Sequence, residues 1–115
     1  AALATLHLAE GNAAAAFALF EARLRECPDD FVALFHVGRC AALSGTELDR
    51  GLAALRRCLR LPVPTAADAP KLANVHYRLG DILEKKGDAA GAARERALAL
   101  EENPDFRPGK ETLKK

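Results

Sequence analysis

His36 and Cys40 stand four residues apart in FHVGRC, a spacing that puts both side chains on one face of a helix. A thiol beside an imidazole is the pair from which an activated nucleophile, or half of a metal site, is built. No third group accompanies them at a usable spacing. Cys40 also falls in a segment expected to pack inward, so it reads as a small buried hydrophobe. Cys27, Cys40 and Cys58 form an odd and widely spaced set that matches neither a zinc pattern nor a disulfide framework. Glycine-rich phosphate loops are absent, and His7 and His76 read as packing residues. The acids of EARLRE and LEEN read as helix surface with partners one turn away, such as Glu21 with Arg25. The expectation is therefore a chain without cofactor, metal or catalytic role.

Charge narrows the partners. The net charge is +1, which gives no strong field to draw nucleic acid or an anionic membrane. Arg56, Arg57 and Arg60 of LRRCLR fall on the exposed side of a helix and read as a solvated face. The longest apolar run, AAAAFALF, is far too short to cross a bilayer. No charged segment followed by an apolar one marks a leader. Reduced cysteines and the lack of a leader make a cytoplasmic location the expectation. The chain opens at Ala1 as though already within a helix, so it is also expected to be a piece of a longer protein.

The elements that must position these residues are helices. Half of the chain is apolar, and 25 Ala and 18 Leu supply most of that half, against four Val and one Ile. Ala and Leu favour helix, whereas a sheet would want the opposite balance. The fold class expected is all-α. Turn signals recur with a period. Gly11 and Gly45 are 34 residues apart, Gly45 and Gly87 are 42 apart, Gly38 and Gly80 are 42 apart, and Pro28 and Pro104 are 76 apart. A helix-turn-helix unit of 34 residues, with one residue inserted in SGTELDR and seven in PVPTAADAPK, accounts for all four spacings.

That pattern predicts helices over 1–10, 13–26, 31–44, 48–61, 69–86 and 89–102, with a short one near 108–114. Gly11, Gly45 and Gly87 are expected to end helices in the left-handed conformation. Asn12, Asp30, Asp88 and Asp105 are expected as N-caps. Gly38 and Gly80 are expected where two helices approach too closely for a Cβ. In the proline-bearing segment 62–71, Asp68 is expected to cap the following helix, with Pro70 in its first turn.

With these residues in place the chain resembles the tetratricopeptide repeat. The third unit reads His76-x2-Leu79-Gly80-x2-Leu83, Ala92-x3-Arg96 and Pro104. The second reads Leu34-x2-Val37-Gly38-x2-Ala41, Gly51-x3-Leu55 and Pro62 or Pro64. The first begins at Leu3-Ala4 and continues with Ala16-x3-Phe20 and Pro28. The family's Trp is missing throughout, and Arg96 stands in an aromatic slot.

The resemblance implies one domain over 1–115, a right-handed superhelix of antiparallel helix pairs. Its units would be about 1–29, 30–64 and 69–104, with a polar capping segment at 105–115. It implies a non-catalytic scaffold or adaptor that binds a protein or peptide in a concave groove lined by the first helix of each unit. Thr5 and Leu8 would line it in the first unit, and Phe35, His36, Arg39 and Leu43 in the second. Asn74, Tyr77, Arg78, Asp81 and Lys85 would line it in the third. Arginines on such a face would suit a partner with an acidic group. The slots used by family members that clamp a chaperone's terminal carboxylate hold Ala1, Thr5, His36, Asn74 and Arg78 here; only Arg78 fits, so that specialisation is not expected. The alternative is a structural module that forms homo-oligomers, or docks on another part of a larger protein.

Overall fold

In a computed structural model describing residues 13–106, five α-helices and no strand occur among the described residues: α1 (Ala13–Glu26), α2 (Phe31–Ser44), α3 (Leu48–Cys58), α4 (Leu72–Lys85) and α5 (Ala89–Glu102). The all-α class is established. The expected helices over 1–10 and 108–114, with Gly11, Asn12, Thr5 and Leu8, lie outside the described residues.

Local chemistry explains the helix ends. Asp30 caps α2 by accepting a hydrogen bond from the Ala33 N–H at 3.1 Å, and Asp88 caps α5 by accepting from the Gly91 N–H at 2.8 Å. Gly45 and Gly87 follow α2 and α4 at φ of +73° and +93°, where a side chain would be strained. The residue inserted after Gly45 is absorbed by Glu47, which takes the left-handed conformation at φ 54°.

Two boundaries differ from the expectation. The helix expected over 48–61 stops at Cys58, and the chain continues in tighter turns: Leu59, Arg60 and Leu61 donate to the carbonyls three residues back. Pro62 is the reason, because it drives the residue before it out of the helical region. The helix expected from 69, capped by Asp68, begins instead at Leu72. Pro70 disfavours the helical conformation at Ala69, and Lys71 stays extended at φ −122° and ψ −177°. Asn74 then caps the helix, its Oδ1 accepting the Lys71 N–H at 2.8 Å. Residues 62–71 are therefore a loop. It is held by the Lys71 ammonium, which donates to the carbonyls of Pro64 and Ala66.

Consecutive helices run antiparallel, since residues early in one meet residues late in the next. Gly38 faces Leu55 while Gly51 faces Ala41, and Gly80 faces Ala92 while His76 meets Glu95. The pair α2–α3 packs beside the pair α4–α5, with α1 against α2 and with α4 touching both α2 and α3. The closeness inside the first pair is set by Gly38: a Cβ there would stand 2.2 Å from Cγ of Leu55. The main core gathers Phe17 and Phe20 of α1, Phe31, Phe35 and Val37 of α2, Leu55 of α3, and Val75, Leu79 and Ile82 of α4. A smaller cluster of Ala73, Ala99 and Phe106, with Tyr77 packed on it, closes the far end.

Candidate functional site

The apolar face of α2 that builds the core leaves Phe35 and His36 at its margin. On α4 the capping residue Asn74 faces the same space. The loop over 62–71 passes over it, and the turn after α5 supplies the far wall. The result is a chamber of about 600 Å³ lined by Phe35, His36, Ala67, Asp68, Ala69, Pro70, Lys71, Asn74, Asn103, Asp105 and Phe106. A second recess of about 440 Å³ shares Lys71, Asn74, Asn103 and Phe106 with it and adds Val63, Leu72, Ala73 and Glu102. The two form one extended groove.

Each wall is held by identifiable contacts. The His36 ring stacks on Phe20 at 5.0 Å and meets the edge of Phe35 at 5.4 Å. Burial, reinforced by the Arg39 charge and opposed by Asp30, pushes its pKa down to about 4, so the imidazole is neutral at physiological pH. Its Nδ1 is buried and finds no hydrogen-bond partner among the described residues. At the far wall Asn103 accepts the Asp105 N–H on Oδ1 at 3.0 Å and the Phe106 N–H on its carbonyl at 2.9 Å, which fixes the turn. The Phe106 ring packs on Tyr77 at 5.6 Å.

The residues named from the sequence divide into groups. Phe35, His36 and Asn74 line the chamber. Tyr77 stands behind its Phe106 wall, with the guanidinium groups of Arg78 and Arg96 over its ring at 5.5 and 6.0 Å. Arg78 is only 4% exposed and donates to Asp81 at 3.0 Å. Asp81 also accepts from Arg96 at 3.1 Å, and Arg96 reaches on to Glu84 at 2.6 Å. These side chains form a staple between α4 and α5. Arg39 is 2% exposed within α2. The two arginines expected to line the concave groove are thus inside the protein, where a long aliphatic stem and a planar head able to pair with carboxylates can be accommodated. Leu43 and Lys85 are exposed. Cys40 is fully buried, and burial raises its thiol pKa to about 11, so it offers no thiolate beside His36 at neutral pH. Glu21 pairs with Arg50 of α3 at 3.1 Å.

The groove residues that sequence reasoning missed are Ala67, Asp68, Pro70 and Lys71 of the loop and Asn103, Asp105 and Phe106 after α5. For the loop residues the signal was the seven-residue insertion itself, because a long connection inside a compact domain is often functional. Among the described residues no group of three His, Cys, Asp or Glu is placed to hold a metal, and no helix is long and apolar enough to cross a membrane. What the groove offers is aromatic and proline surface for a side chain, amides that suit a peptide backbone, and carboxylates at the rim. No protein-family model matches the chain, and a search of the curated proteins likewise finds no match.

Proposed function

We propose that this chain is a non-catalytic protein-interaction module of the tetratricopeptide kind, a right-handed stack of helix pairs that holds an extended segment of a partner in the groove between α2 and α4. The antiparallel pairing, the glycine contact at Gly38 and the helix-ending glycines at 45 and 87 support the repeat architecture. The observation that carries the binding role is the chamber of about 600 Å³ walled by the first helices of two successive pairs and roofed by the inserted loop. Its walls are supported by the core on one side and by the Tyr77–Phe106 contact on the other, so a partner meets a preformed surface. Little ordering of the protein then opposes binding.

The test is an affinity capture from native lysate with the unaltered chain and with Ala67→Trp. Ala67 is an exposed loop residue on the chamber wall, so an indole there fills the space and leaves the helices alone. Partners held by the first protein and lost from the second, at equal helicity by circular dichroism, support the groove. The same partners on both place docking elsewhere.

A further inference from the structure

Resting on that reading, we infer that the groove selects a partner segment carrying a basic side chain, arginine above all. The donors and acceptors around the groove decide the sign. The arginines that would have held an acidic partner are 2% and 4% exposed, and Arg78 donates to Asp81. Among the described lining residues the cation is Lys71, whose ammonium is held by the carbonyls of Pro64 and Ala66 as the clasp of the loop. Asp68 and Asp105 on the chamber and Glu102 on the adjoining recess are exposed and make no ion pair among the described residues.

Among the described residues the charged groups of the lining are therefore mostly carboxylates. A guanidinium brings five N–H donors and no acceptor. Among the described lining residues an acidic side chain would meet three carboxylates against the single ammonium of Lys71, which is already held by carbonyls. A basic one gains from each, most strongly at low ionic strength, because these groups are exposed and screened by salt.

The experiment is a selection of random peptides displayed on phage against the full chain at low ionic strength, with counter-selection on Ala67→Trp. The leading peptide is then synthesised and titrated by fluorescence anisotropy. Peptides that depend on the open chamber are expected to share an Arg or Lys at a fixed position. The Asp68→Asn, Asp105→Asn double variant, altered only at exposed loop positions, is expected to bind the synthetic peptide about three- to tenfold more weakly. Chamber-dependent peptides that are acidic or uncharged, or whose affinity ignores the double variant, overturn the charge inference while the groove stands. If no selected peptide distinguishes the chain from Ala67→Trp, the groove reading falls and the inference with it.

Discussion

Acid should destabilise this protein through one imidazole. His36 is held between Phe20 and Phe35 with Arg39 one turn away, and its pKa falls from the ordinary 6.5 to about 4. Between those two values the unfolded chain binds a proton that the folded protein refuses, so unfolding takes up a proton and falling pH favours it. The contribution is whole above 6.5 and is lost as the pH falls towards 4. At about 1.4 kcal/mol per pH unit, the loss reaches about 2 kcal/mol near pH 5 and about 3 kcal/mol near pH 4. A typical domain has only about 5–15 kcal/mol in all, so the effect is measurable. The assay is urea unfolding from neutral pH down to the mid-acid range for the unaltered protein and for His36→Phe, which keeps a ring on Phe20 and cannot titrate. The lowered carboxyl pKa of Asp30 also costs stability in acid, but its loss begins only below the ordinary 3.8, and it is common to both proteins. The two stability curves are expected to diverge as the pH falls through 6.5. Parallel curves would refute the reasoning, because they would mean that the imidazole takes up its proton without cost and is not desolvated.

Two glycines should respond to alanine for different reasons. At Gly38 the new methyl would stand 2.2 Å from Cγ of Leu55, so Gly38→Ala is expected to cost about 1–3 kcal/mol in denaturant unfolding, partly recovered when Leu55→Ala makes room. At Gly87 nothing lies within 4 Å, yet φ is +93°, so Gly87→Ala is expected to cost about 1 kcal/mol from the backbone alone, with no recovery by any neighbour. The three thiols should separate in a titration with a disulfide reagent. Half-buried Cys27 is expected to react in the native state, while Cys40 and Cys58, buried and raised to about 11 and about 12, react only as fast as the protein unfolds. Asp81 accepts from both Arg78 and Arg96, so Asp81→Ala is expected to lower unfolding free energy by about 2–3 kcal/mol through the buried Arg78. An unchanged denaturation midpoint would remove the staple from the account.

What the sequence made legible follows from how local the cause is. The helices Ala13–Glu26, Phe31–Ser44 and Ala89–Glu102 match the expected boundaries, and for two of them a cap can be named: an aspartate at the N-terminus and, after Ser44, a left-handed glycine. Gly38 was readable because its cost to a helix needs a reason, and the repeat period supplied the partner helix. The ends at Cys58 and Leu72 were misplaced because two prolines outweighed apolar periodicity, each acting on the residue before it.

The candidate site was less legible for a different reason. A side chain on the predicted inner face can turn to a neighbour as readily as to a ligand, and that choice depends on groups far along the chain. Arg78 turns to Asp81, which also holds Arg96 from the next helix, fifteen residues on. The Arg78–Asp81 half of that contact is an i,i+3 pair within α4, but no pattern there contains the Arg96 half. The loop was the reverse case. Lys71 stands just before α4, and its ammonium is held by carbonyls that the fold of residues 64–66 brings to it. Once Lys71 is committed there and Arg78 to Asp81, the sign of the groove passes to Asp68, Glu102 and Asp105, residues whose only mark in the sequence was their place beside turns and helix ends. The chemistry of this groove is thus set by which charges the fold has already used, and the charges left over are the ones a partner would meet.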